Sequence, residues 1–250
     1  MPDPSQADNR SLHGKVAIVT GSEGALGRAI TESLLSHGAQ VVGVDITGNA
    51  DHVVDITSAE QTSRLITDIV ADYGRVDVLA LNAGVQHMAP IDEFSLERWN
   101  ALLGVMLTAP FIMMSAAWPH LVKAGEGRII ATASTSSFVA EKYKAAYVAA
   151  KHGLLGLVKV AALEGADVGI TVNAVAPSWM RTAMVEGQVA ERSRLLGRTE
   201  EEVIADLVHE QAVKRFVEPS EVAETIAFLA SRSASGITGS CIPVDLGALA

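Results

Sequence analysis

Tyr147 and Lys151 stand four residues apart, and Ser134 lies thirteen residues before the tyrosine. On a helix, positions i and i+4 share one face, so the ammonium can lie beside the phenol. A neighbouring positive charge favours phenolate, and the spacing predicts a tyrosine pKa below its usual value of about 10. Tyr147 then becomes a usable general acid/base, and an upstream serine hydroxyl can hold a carbonyl or alcohol oxygen. The same spacing also arises by chance on surface helices, so the surrounding elements must supply the context.

Those elements alternate. Apolar, β-rich runs fall at Lys15–Thr20, Val41–Asp45, His52–Asp55, Asp77–Leu81, Arg128–Thr132, Ile170–Val175 and Cys241–Asp245. Helical segments are expected near 26–37, 59–73, 96–123, 145–167 and 219–232. Near-continuous apolar strands alternating with helices predict a parallel sheet covered on both faces. The expectation is an α/β, doubly wound, Rossmann-type three-layer sandwich with seven strands, built as one domain over 12–250 behind a flexible tail, 1–11. Residues 182–216 break the alternation with a polar, charged, helix-prone stretch between the sixth strand and the last helix. Because ligands bind beyond the carboxyl ends of such strands, this insertion reads as a small helical lid.

The first strand runs into Thr20-Gly-Ser-Glu-Gly-Ala-Leu-Gly27 and then a helix. Glycines there permit a tight turn and close backbone approach to a pyrophosphate resting on the helix N-terminus. Gly21, Glu23, Gly24, Leu26 and Gly27 are the candidate contacts. Asp45 ends the second strand, where a carboxylate can accept from ribose hydroxyls and repel a 2′-phosphate. NAD is therefore expected in preference to NADP. Asp55 and Ile56 follow the third strand and are placed to meet the adenine edge, although Asp55 also reads as a turn-capping aspartate. Asn82, Ala83 and Gly84 follow the fourth strand and let backbone pass close to the cofactor.

Composition removes other classes. With 19 Lys+Arg against 29 Asp+Glu, the formal net charge of −10 argues against a nucleic-acid partner. Cys241 is the sole cysteine, which excludes an intrachain disulfide and a CxxC site. His87 and His152 lack metal-ligand spacing with carboxylates or thiolates, and no metal is expected. No uninterrupted run reaches the ~18 apolar residues expected of a spanning helix, and Met1–Ser11 lacks an apolar signal core. A cytoplasmic protein with no membrane partner is the expectation.

Together the glycine turn, Asp45, Asp55, Asn82-Ala-Gly84, Ser134, Tyr147, Lys151 and Pro177…Thr182 resemble the short-chain dehydrogenase/reductase family in order and spacing, from about Lys15 onward. The resemblance implies hydride transfer between nicotinamide and a carbinol carbon. It assigns the proton to Tyr147, the substrate oxygen to Ser134, the nicotinamide ribose and tyrosine acidity to Lys151, and the carboxamide to Thr182. A narrower likeness, to bacterial D-3-hydroxybutyrate dehydrogenases, rests on Gln86–Ile91, Lys144–Gly153, Trp179–Gln188 and Ala212–Pro219. It implies that Gln86, Lys144 and Gln188 bind a substrate carboxylate beside an apolar wall from Trp179. One ammonium and two amides suit a small anion. A homotetramer is implied as well, and the helices around 96–123 and 145–167 carry more apolar surface than one sheet face needs.

The chain departs from the family at four places. Ala25 replaces the middle glycine of the turn. Met106 stands where an asparagine supports a water-linked proton path. Ser136 replaces a pocket histidine, and Asp245-Leu-Gly-Ala248 lacks a closing aromatic. The expected function is NAD-dependent interconversion of a small secondary alcohol, such as a 3-hydroxy acid, and its ketone. Ser136 and Ala248 also admit a bulkier cyclic or hydroxyacyl substrate, and Met106 admits a weakly catalytic nucleotide-binding protein.

Overall fold

The computed structural model describes residues 11–250, so most of the tail expected at 1–11 lies outside the described residues. In chain order the elements are β1 (Val16–Thr20), α1 (Ala25–Ser36), β2 (Gln40–Asp45), β3 (His52–Val53), α2 (Ala59–Tyr73), β4 (Val78–Leu81), α3 (Leu96–Leu103), α4 (Ala109–Ala124), β5 (Arg128–Thr132), α5 (Ala145–Ala166), β6 (Thr171–Pro177), α6 (Ala183–Leu196), α7 (Glu200–His209), α8 (Pro219–Ala230) and β7 (Cys241–Val244). A π-helical turn, Gly104–Thr108, joins α3 to α4.

All seven strands pair in parallel, in the order β3-β2-β1-β4-β5-β6-β7. Every residue of β1 and β4 is buried, as strands covered on both faces require. Leu65, Ile69, Met113, Leu121, Leu154 and Val158 from α2, α4 and α5 pack on one face of the sheet. Leu26, Ile30, Leu34, Val222 and Ile226 from α1 and α8 pack on the other. Burying each such aliphatic side chain contributes about 1.5–3 kcal/mol. At the opposite edge from the ligand side, buried Asp77 accepts from the Val16 amide at 2.9 Å and from Arg75 at 2.6 and 2.7 Å, pinning β4 to β1.

One expectation needs correction. The third strand stops at Val53 instead of Asp55, because Asp55 turns the chain by accepting from the amide and hydroxyl of Thr57 at 2.9 and 2.6 Å. Two helical stretches, Leu96–Ala124 and Ala145–Ala166, are long and apolar enough by length and composition to cross a membrane, although no uninterrupted run predicted one. Both lie on the sheet, with Met113, Ala117, Leu154 and Val158 in its core.

Residues 182–216 fold into α6 and α7. Thr182 caps α6 by accepting from the Val185 amide at 3.3 Å, and Thr199 caps α7 reciprocally with Glu202. Their apolar sides, Val189, Val203 and Leu207, close on Trp179. The excursion therefore packs around one aromatic at the carboxyl end of β6.

Candidate active site

The carboxyl ends of β1, β2, β4, β5 and β6 open into one cleft of about 600 Å³. Every residue singled out from the sequence as a site candidate lines it. At one end, Gly21 adopts φ +67°, and a Cβ there would come within 2.8 Å of Ala83 Cα. A Cβ on Gly27 would meet the Gly21 carbonyl oxygen at 1.9 Å. The turn thus requires glycine at both places to bring backbone this close. Ala25 is exposed at the start of α1 and lines the same cleft.

Asn82 fastens this end. Its side-chain amide donates to the carbonyls of Thr20 and Gly21 at 3.2 Å each, and its oxygen accepts from the Thr132 hydroxyl at 3.3 Å. One side chain therefore ties together β1, β4 and β5. Asp45 accepts from the Glu23 amide at 3.0 Å and from the Ile46 amide at 2.7 Å, which holds its carboxylate at the cleft rim. No arginine lines the cleft among the described residues; its lysines, Lys144 and Lys151, stand at the far end. A negative rim, a glycine turn and a helix N-terminus fit an adenosine with free ribose hydroxyls and a pyrophosphate.

The chemistry-bearing end is built on β5, α5 and the turn between them. Ser134 follows β5, its hydroxyl accepts from the Ser136 amide at 3.1 Å, and it lines the cleft with Tyr147. Lys151, one helical turn on from Tyr147, is buried and donates to the Thr132 carbonyl at 2.6 Å. Its ammonium lies 5.6 Å from the centre of the tyrosine ring.

The expected acidification of Tyr147 does not hold. Burial pushes the phenol up to about 12, Ser134 pulls the other way, and Glu141 adds to the rise. Burial lowers Lys151 to about 8, and its ammonium is directed at Thr132. Tyr147 therefore rests as a phenol.

Beyond this pair the cleft widens toward Gln86, Ser136, Lys144, Trp179 and Gln188. Gln86 donates to Gln188 at 3.5 Å. Lys144, buried beside Tyr143 at φ +68°, lies 4.3 Å above the Trp179 ring. Trp179 donates from its indole nitrogen to Glu210 at 2.8 Å, which anchors it to the end of the lid. Met106 is 1% exposed in the π-helical turn and packs with Ala146, Ala150 and the edge of Tyr147.

Two residues here were not anticipated. Glu141 bonds Lys144 at 2.9 Å, Arg192 at 2.5 Å and the Ser136 hydroxyl at 2.5 Å. Arg192, from α6, also stacks 4.8 Å from the Trp179 ring centre. Glu141 sits in an aperiodic loop and its partner is 51 positions away, so no spacing signal marks either residue.

The family profile described as Enoyl-(Acyl carrier protein) reductase matches residues 21–248. A D-beta-hydroxybutyrate dehydrogenase of Cupriavidus necator is 37% identical, over 94% of this chain and 98% of its own. The chain belongs to the short-chain dehydrogenase/reductase family. Among solved structures of the family, a carveol dehydrogenase from Mycobacterium avium in complex with NAD superposes with a TM-score of 0.89 at 26% identity, over 96% of this chain and 99% of that one. A Beutenbergia cavernae structure with bound NADP is 32% identical with a TM-score of 0.87, over the same shares. The chain is thus an oxidoreductase of a family that binds a nicotinamide cofactor, and family membership alone leaves NAD and NADP both open.

Proposed function

We propose that the chain, acting as one catalytic unit over residues 12–250, interconverts a small secondary alcohol and its ketone with NAD. The observation that carries this reading is that Ser134 and Tyr147 line the cleft together beside buried Lys151, at the far end from the glycine turn and Asp45. When bound, the cofactor supplies the hydride acceptor or donor and, when oxidised, a positive charge.

The chain's own residues hold the substrate and move the proton. Ser134 holds the substrate oxygen, and Tyr147 Oη exchanges the proton with it. As a resting phenol, Tyr147 is ready to protonate a ketone oxygen; alcohol oxidation requires its deprotonation first. Lys151 supports the tyrosine and meets the nicotinamide ribose, and Thr182 with Pro177 borders the carboxamide. Asp45 supports NAD over NADP, since its charge at the rim opposes a 2′-phosphate and no arginine among the described residues lines the cleft to offset it.

Two substrate readings follow. A 3-hydroxy acid such as 3-hydroxybutyrate is supported by the likeness to the C. necator dehydrogenase and by Gln86, Lys144 and Gln188 gathering near Trp179. A bulkier alcohol without a carboxylate is favoured by the Glu141–Lys144 contact and by the small Ser136 side chain. Exposed Phe111, Val160 and Leu163 on α4 and α5 support assembly into a homotetramer.

Following NADH formation with 3-hydroxybutyrate and a panel of cyclic secondary alcohols tests this. Turnover of at least one secondary alcohol, with NAD preferred to NADP, is expected. Reduction of NADP alone, or no turnover with any secondary alcohol, overturns the reading.

A further inference from the structure

Glu141 is a carboxylate inside the substrate pocket, and both of its oxygens are used. One bonds Lys144 at 2.9 Å and Arg192 at 2.5 Å; the other accepts from Ser136 at 2.5 Å. Burial opposes its ionisation, yet Lys144, Ser136 and Arg192 outweigh that and hold its carboxyl below the usual carboxylate range. It is therefore charged at neutral pH. Burial likewise lowers Lys144, with Glu141 as its main compensation. Arg192 packs over Trp179 and is not among the residues that line the cleft. The ammonium facing the substrate is already paired with a carboxylate three positions away, which Arg192 also engages.

Resting on the alcohol–ketone chemistry above, we infer that Glu141 is a specificity-determining residue. It occupies the anion seat with a resident carboxylate and selects secondary alcohols whose distal group is uncharged but hydrogen-bonding. A substrate carboxylate must take Lys144 from a tethered competitor, whose effective concentration is high. It must then lie beside the charge it displaced, an arrangement that like charges disfavour. A hydroxyl, ketone or amide carries no such penalty. It can donate to Glu141 or the amide oxygens and accept from Gln86 or Gln188.

An isosteric pair isolates the charge. Binding of acetoacetate and of acetoacetamide to the enzyme·NAD⁺ complex is read by tryptophan fluorescence, and turnover is read with 3-hydroxybutyrate and 3-hydroxybutyramide. In the wild type the amide is expected to bind at least about tenfold tighter and to give the higher kcat/KM. Glu141→Gln is expected to raise the acid's kcat/KM at least about tenfold, chiefly through KM, and to raise the ratio of the acid's kcat/KM to the amide's. Equal or tighter binding of acetoacetate by the wild type overturns the inference, and so does an unchanged acid kcat/KM in a folded Glu141→Gln. The wild-type binding ratio needs no variant. Failure to turn over any alcohol counts against the chemistry, while the binding ratio still decides the seat.

Discussion

Lys151 directs its ammonium at the Thr132 carbonyl, 2.6 Å away, and lies 5.6 Å from the centre of the Tyr147 ring. One helical turn brings the two side chains together, but the amine is engaged elsewhere, with the end of β5. The pair is assembled, yet its electrostatics in this cleft are set by burial.

That burial has a signature in stability. The Lys151 pKa falls from 10.5 to about 8 on folding. Below about pH 8 both states hold the proton and the folded state bears the full burial penalty; between pH 8 and 10 the unfolded chain holds more protons, so stability rises with pH. Tyr147, pushed up to about 12, stays neutral throughout this window. Chemical denaturation of wild type and Lys151→Met at each pH should show the difference shifting toward wild type by about 2 kcal/mol from pH 8 to 10. A constant difference would show that the amine is not depressed.

Asp45 should govern cofactor choice. Its carboxylate is held at the rim by the Glu23 and Ile46 amides, and Ile46 beside it is exposed. Asp45→Ala combined with Ile46→Arg replaces a repelling charge with an attracting one. The ratio of kcat/KM for NAD to that for NADP is expected to fall at least about tenfold. An unchanged ratio would remove Asp45 from that role.

Met106 packs against Ala146, Ala150 and Tyr147 at the margin of the cleft. An amide there loses apolar packing and must find partners in an apolar neighbourhood, costing about 1–3 kcal/mol. Met106→Asn is therefore expected to lower Tm by several degrees and to leave kcat no higher than wild type. A several-fold gain in kcat would mean that water reaches this space and that the methionine blocks a proton path.

Much of this molecule was legible in its sequence, for a physical reason. Strands buried on both faces read as apolar runs, so β1, β2, β4, β5, β6 and β7 appear within a residue or two of their observed bounds. The glycine turn, Asn82, Ser134, Tyr147 and Lys151 are fixed by local backbone demands at strand ends, and they converge because parallel strands share one carboxyl edge. Charge balance inside the pocket was not legible. Glu141 meets Arg192 only because α6 folds back across the loop, and the rise in the Tyr147 pKa depends on desolvation that a helical spacing cannot report. The π-helical turn at Gly104–Thr108 leaves no mark in an unbroken apolar pattern.

Replacing one oxygen tests the proton-transfer assignment most directly. Tyr147→Phe keeps the ring and its packing while removing the group that exchanges a proton with the substrate. Steady-state turnover of the best secondary alcohol is expected to fall by about 10²–10⁴, with NAD affinity, measured by calorimetry, within about twofold of wild type. Turnover within tenfold of wild type in a folded, NAD-binding variant would contradict the account.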